Sequence, residues 1–154
     1  MMFVCIMGDS CTGKSTLAKT LAKRIDAEVM TGKDYLRLAK DERSAEAVFK
    51  KKAESASQSN QHLFYVITEK TQLSLVPDQA LRILVTASLE TIKDRFAKRM
   101  GGNLPKPVEQ MLERKYGMFE REQYDCRVNT DQDDFETAMS DILEQLQRIE
   151  KNQT

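Results

Sequence analysis

Eight consecutive residues near the start of the chain, Gly8-Asp9-Ser10-Cys11-Thr12-Gly13-Lys14-Ser15, fit the spacing G-x-x-x-x-G-K-[ST] without a gap. Glycines at such positions let the main chain curl with its N–H groups pointing inward, which makes a nest for an anion. A helix starting near Lys14 aims the positive end of its dipole at the same point. The Lys14 ammonium is a mobile charge for phosphate oxygens, and the Ser15 hydroxyl is of the type that ligates Mg²⁺ beside a nucleotide. Both flanks agree with this chemistry. Phe3-Val4-Cys5-Ile6-Met7 is a continuous apolar run, as expected of a central parallel strand. Leu17, Ala18, Leu21, Ala22 and Ile25 follow at helical spacing, so residues 14–25 read as an amphipathic helix. The residues expected around a nucleotide's phosphates are Gly8, Asp9, Ser10, Cys11, Thr12, Gly13, Lys14, Ser15 and Thr16, with Mg²⁺ on Ser15. Cys11 has two readings. It is a thiol made acidic and reactive by a helix N-terminus, or a small side chain facing inward.

The remaining elements must carry this loop. Glu28-Val29-Met30 is a weak strand signal closed by Thr31-Gly32, and residues 34–53 give mixed helical signals. Ser55 to Gln61 is a polar loop with nothing to bury, and His62 reads as a loop-edge residue. Leu63-Phe64-Tyr65-Val66-Ile67 and Leu81-Arg82-Ile83-Leu84-Val85 are buried-strand runs with a turn at Val76-Pro77-Asp78 between them. Leu89, Ile92, Phe96 and Met100 make a helix stripe, and the glycines and prolines of residues 100–107 forbid regular structure. Val108, Met111, Leu112, Tyr116 and Phe119 form a further helical face, Cys126-Arg127-Val128 a short strand, and Phe135 to Ile149 a last helix. Asp131, Asp133 and Asp134 stand at the favourable end of that helix. The methionines near apolar helix faces, Met100, Met111, Met118 and Met139, read as core filling. Strands at 3–7, 27–30, 63–68, 81–86 and 126–128 separated by helices imply βαβ units, a parallel sheet and the α/β class.

Composition narrows the function classes. The chain has 154 residues with 24 Lys plus Arg against 24 Asp plus Glu, a net charge of zero that argues against a broad nucleic-acid-binding face. At 40% hydrophobic and 31% charged it has the make-up of a folded soluble domain. No apolar stretch approaches the ~20 residues that span a bilayer, and the apolar start lacks a basic leader region. Three cysteines without paired spacing and a single histidine favour neither a disulfide scaffold nor a zinc site. A cytoplasmic protein, monomeric or weakly homodimeric, without stable nucleic-acid or membrane partners, is expected.

In three places the sequence resembles the small P-loop kinases. Within that group it looks most like nucleoside monophosphate kinases of the cytidylate-kinase-like branch, which are related to shikimate and gluconate kinases. The places are Gly8 to Thr16, the run Leu84 to Arg99, and Tyr124-Asp125-Cys126-Arg127-Val128-Asn129-Thr130. The resemblance implies a three-layer α/β/α fold with a parallel sheet of about five strands. It also implies one domain over residues 1–154, an acceptor-binding insert at 38–62 and a short lid at 100–107. ATP with Mg²⁺ would be the donor, and a small molecule, with a nucleoside monophosphate favoured, the acceptor. The alternatives are a kinase of a non-nucleotide metabolite and a nucleotide-binding regulatory module that transfers nothing.

Arg95 and Arg99 stand four apart on one helix face before the flexible loop, where two guanidiniums can fold over a triphosphate. By resemblance Arg95 lies against the adenine or donor phosphates, Arg99 touches the transferring phosphate, and Arg114 is a third candidate. The competing reading is a solvated basic face interleaved with Glu90 and Asp94. Asn129 ends the strand whose exit borders the base in such proteins. Asp34 would face the acceptor or Mg²⁺, and Arg37 would hold an acceptor phosphate; otherwise the two are an ordinary i,i+3 surface pair. One departure stands out. Tyr65-Val66-Ile67-Thr68 runs into Glu69 with no aspartate to support Mg²⁺. Glu69, Asp34, or Ser15 with the nucleotide alone would have to serve, and the general base is unassigned.

Overall fold

Alternation along the strands decides the layers. In β1 (Phe3–Met7), Val4 and Ile6 join one apolar cluster while Phe3, Cys5 and Met7 join another on the opposite face. The same alternation divides Phe64 and Val66 from Leu63, Tyr65 and Ile67 in β3 (His62–Ile67). A strand buried on both faces needs helices on both sides, and the computed structural model, which describes residues 1–153, has that arrangement. The other strands are β2 (Ala27–Thr31), β4 (Leu81–Thr86) and β5 (Cys126–Asn129). All pairings are parallel and the order is β2-β3-β1-β4-β5.

One face is covered by α1 (Lys14–Arg24) and α5 (Phe135–Gln153), which contribute Leu17, Leu21, Met139, Ile142 and Leu146 to the first cluster. The other is covered by α2 (Glu42–Glu54), whose Phe49 is fully buried 4.8 Å from the Tyr65 ring and 6.0 Å from Phe3. Truncating such a ring costs about 3–5 kcal/mol. Beyond β4, α3 (Leu89–Arg99) and α4 (Lys106–Lys115) form an antiparallel hairpin. Its apolar seam of Ile92, Phe96, Leu104, Val108, Met111 and Leu112 closes on Cys11 and Ala87. No helix among the described residues is long and apolar enough to cross a membrane.

Several local expectations are corrected. The mixed helical stretch divides into a 3₁₀ helix, Asp34–Leu38, and α2, because Asp41 caps α2 by accepting from the Ser44 N–H at 2.8 Å. A further 3₁₀ helix, Lys70–Leu75, follows β3. The polar loop at 55–61 does bury one side chain, Ala56. His62 belongs to β3 and is buried, with Nδ1 accepting from the Met2 N–H and Nε2 2.9 Å from Glu150; burial lowers its pKa. Pro107 sits inside the first turn of α4, where its missing N–H costs no helical bond. That helix stops at Lys115 because Gly117 takes φ +76°, although Phe119 still reaches the core. Met100 ends α3 exposed, so it fills no core.

Candidate functional site

The loop of residues 8–13 leaves the carboxyl end of β1, between β3 and β4, at the crevice where ligands of parallel α/β sheets sit. Gly8 is required by packing: a Cβ there would run into the Val85 carbonyl oxygen of β4. Cys11 and Gly13 both have positive φ, 63° and 96°, which curls the loop. The first helical bond of α1 runs from the Leu17 N–H to the Gly13 carbonyl at 3.0 Å, so the N–H groups of Lys14, Ser15 and Thr16 have no intrahelical acceptor.

Side chains lock the curl from behind. Thr12 Oγ1 donates to the Asp9 carbonyl at 2.9 Å, and Thr130 Oγ1 donates to the Thr12 carbonyl at 2.7 Å. Arg95 Nη1 reaches the Cys11 carbonyl and Thr130 Oγ1, each at 3.0 Å. A groove of about 160 Å³ opens in front, lined by Ser10, Cys11, Gly13, Lys14, Ser15, Thr16, Thr68 and Arg99. Lys14 is only 6% exposed, and its Nζ donates to the Asp9 carbonyl at 3.0 Å. Burial, with the nearby Arg99 charge, brings its pKa down to about 8. The groove thus carries two cations and an exposed Ser15 hydroxyl, an arrangement suited to a polyanion.

The structure brings Arg99 to the loop as expected and gives Arg95 a different task. Arg95 holds the loop's carbonyl from the side through Nη1, which is committed to protein acceptors. Cys11 is buried in the apolar seam with the α3–α4 hairpin, which matches the inward-facing reading. Asn129 shapes the turn after β5, its Oδ1 accepting from the Asp131 N–H at 3.0 Å. Asp131 in turn accepts from the Ser88 N–H at the start of α3.

Asp34 and Arg37 lie outside the groove. Asp34 Oδ2 accepts from both the N–H and the hydroxyl of Thr31, each at 2.9 Å, and these bonds hold its carboxyl below the ordinary range. Arg37 is 3.8 Å from Asp34 with its side chain 85% exposed. Arg114 is exposed on α4 and does not line the groove. Glu69 pairs with Lys115 at 3.3 Å and does not line the groove, leaving Thr68 as the lining residue at the exit of β3. No cluster of three or more His, Cys, Asp or Glu able to hold a metal occurs among the described residues. Sequence reasoning missed Thr68 and Thr130; the only signal was that each directly follows a strand running toward the loop.

No protein-family model matches the chain, and no curated protein matches it in sequence. Solved structures do match in shape over nearly the whole length. A sugar kinase from Janibacter sp. HTCC2649 is 17% identical with a TM-score of 0.64, covering 96% of this chain and 95% of that one. A shikimate kinase from Bacteroides thetaiotaomicron is 12% identical with a TM-score of 0.63, covering 95% and 98%. A gluconokinase from Sinorhizobium meliloti 1021 is 15% identical with a TM-score of 0.60, covering 98% and 94%. The fold is that of a P-loop NTPase. At these identities the likeness speaks for architecture, whose strand, loop and helix around the groove are residues 3–24 of this chain.

Proposed function

We propose that the protein is an ATP-dependent phosphotransferase acting on a hydroxyl or phosphate of a small molecule. The observation that carries the reading is the groove in which Lys14 and Ser15 from α1 meet Arg99 from α3 over the curled loop. An acceptor oxygen attacks the γ-phosphorus in line while the bond to the β,γ-bridging oxygen breaks and ADP departs. The loop N–H groups and Lys14 bind the β- and γ-phosphates. Arg99 meets the charge that spreads over the transferring oxygens. Mg²⁺ would neutralise and align the phosphates, and the exposed Ser15 hydroxyl is the residue that would hold it, with the nucleotide's own oxygens completing the shell. Residues 100–105, between α3 and α4, act as the lid that excludes water when the acceptor is in place.

On the acceptor side, Asp34 and Arg37 belong to the segment joining β2 to β3. The only aromatic rings of that segment, Tyr35 and Phe49, are buried in the core, so none is free to stack on a nucleobase. This favours a hydroxylated metabolite over a nucleoside monophosphate, in keeping with the sugar, gluconate and shikimate kinases of similar shape. A nucleoside monophosphate is the second acceptor, supported by Arg37, which is free to grip a phosphate bidentately. A binding module without transfer is the third reading, favoured by the lack of any carboxylate among the residues lining the groove to support Mg²⁺.

ADP release from Mg·ATP, followed with gluconate, shikimate, simple sugars, CMP, UMP, AMP and GMP, separates the three. Stimulation by a hydroxylated metabolite supports the first and by a monophosphate the second. Tight nucleotide binding with no stimulation by any acceptor supports the third.

A further inference from the structure

Asp9 is the only carboxylate on the phosphate-binding loop, and its side chain does not face the groove. Its Oδ2 accepts from the Gly117 N–H at 2.8 Å, across 108 residues of sequence. Its Oδ1 is buried without a hydrogen-bond partner. Its main-chain carbonyl meanwhile accepts from Lys14 Nζ at 3.0 Å and from Thr12 Oγ1 at 2.9 Å. One residue therefore holds the loop's ammonium through its backbone and the end of the α3–α4 hairpin through its side chain.

The hairpin is stiff enough to pass that attachment on. Gly117 stands two residues past the end of α4, in a left-handed turn, and its neighbour Tyr116 donates through its hydroxyl to the Ala87 carbonyl at 3.2 Å. Lys93 of α3 pairs with Glu113 at 2.7 Å and with Glu109 at 3.3 Å, both on α4. Ile92 and Leu112 close the apolar seam between the helices against Cys11 of the loop. Arg99 is the last residue of α3. Arg95 ties α3 to the loop four residues before Arg99, and the Asp9–Gly117 bond ties the other end of the hairpin to the same loop, so the two attachments together fix Arg99 relative to Lys14.

We propose that Asp9 is a positioning residue that latches the hairpin to the phosphate-binding loop and so sets the distance between Arg99 and Lys14. The proposal rests on the phosphotransferase reading for its kinetic consequence but not for the latch itself. Burial, with the charge of Glu120, raises the Asp9 pKa, while the N–H groups of Gly117 and Met118 and the charge of Lys14 oppose the shift. The bond to Gly117 needs an acceptor oxygen and not a charge, so asparagine should replace aspartate here and alanine should not.

The test compares the wild type with Asp9→Ala and Asp9→Asn. Hydrogen exchange over residues 99–117, read without nucleotide and with Mg·AMP-PNP, is expected to quicken about tenfold or more in Asp9→Ala and to stay near wild type in Asp9→Asn. Calorimetry with Mg·AMP-PNP should give dissociation constants within about threefold of one another, since the cradle is untouched. ADP release should show kcat lowered about tenfold or more in Asp9→Ala with KM for ATP little changed, and restored to within about threefold in Asp9→Asn. Wild-type exchange in Asp9→Ala, or Asp9→Asn as defective as Asp9→Ala in both exchange and kcat, overturns the latch. Failure of the wild type to bind Mg·AMP-PNP overturns the phosphotransferase reading instead, and exchange in the nucleotide-free protein still decides the latch.

Discussion

The two halves of the sheet's carboxyl edge are built on different plans. Around the loop of residues 8–13 every carbonyl from Cys11 to Gly13 has a donor, supplied by Arg95, Thr130 and Leu17, and the lysine is buried. Around the segment after β2, Arg37 points into solvent and meets Asp34 only at 3.8 Å. The first region is preorganised, with its dipoles fixed before a ligand arrives. In the second, Thr31 fixes the Asp34 carboxylate but the Arg37 guanidinium is left in solvent. Under the proposed function, a polyphosphate, the same in every nucleotide, would suit the rigid cradle, and an acceptor of particular shape would meet the adjustable Arg37 on the 3₁₀ turn.

That contrast is breakable at both ends. The largest effect belongs to Lys14→Ala, expected to cut ADP release by about 10³-fold or more. Its melting temperature should be unchanged or slightly higher, because a buried charge with a depressed pKa is removed. A large drop in melting temperature would show the lysine to be structural. Next comes Arg99→Ala, expected to lower kcat by about 10²-fold with little change in triphosphate affinity, while Arg114→Ala does nothing beyond about twofold. Equal losses in the two variants would contradict the placement of Arg99 in the groove and Arg114 outside it.

Arg37→Ala sharpens the other side. It should raise the acceptor KM by about tenfold with KM for ATP unchanged, measured with whichever acceptor stimulates ADP release. A rise in KM for ATP instead would mean that the two regions are not separate.

A smaller effect appears in the pH dependence. In the free protein Lys14 loses its proton near pH 8, and a bound polyanion favours the ammonium. The complex then holds more protons than the free protein, so affinity falls as pH rises above about 8, by at most about tenfold per pH unit. Calorimetry at pH 8.5 in two buffers of different ionisation enthalpy should register proton uptake on binding Mg·AMP-PNP. Proton release would reverse the sign of the argument.

The difference between the regions also explains what the sequence disclosed. Gly8 and Gly13 were legible because packing against Val85 and a positive φ demand glycine there, Lys14 and Ser15 because their side-chain types follow at the spacing that phosphate chemistry uses, and the five strands because each is an apolar run buried on both faces or pairs with one. Arg95 was legible as a member of the site but not in its task. Nothing in an i,i+4 pair of arginines says that one guanidinium is spent on the Cys11 carbonyl while the other faces the groove. Thr130 and Thr68 escaped because a threonine after a strand is ordinary until the fold sets it against the loop. Gly117 and Asp9 meet only through tertiary structure, and a helix pattern running on to Phe119 concealed the break between them. Asp34 and Arg37 were seen as a pair, and a pair they are, but local spacing carries no information about a ligand.

The central claim is that the curled backbone of residues 8–15 receives the phosphates of a nucleotide. Titrating the wild-type protein with Mg·AMP-PNP in a calorimeter, beside Lys14→Ala, tests it most directly. Binding at one site with a dissociation constant below about 1 mM, weakened about 10²-fold or more in the variant, is the expected result. No heat from the wild type, or equal affinity in the two proteins, would contradict it.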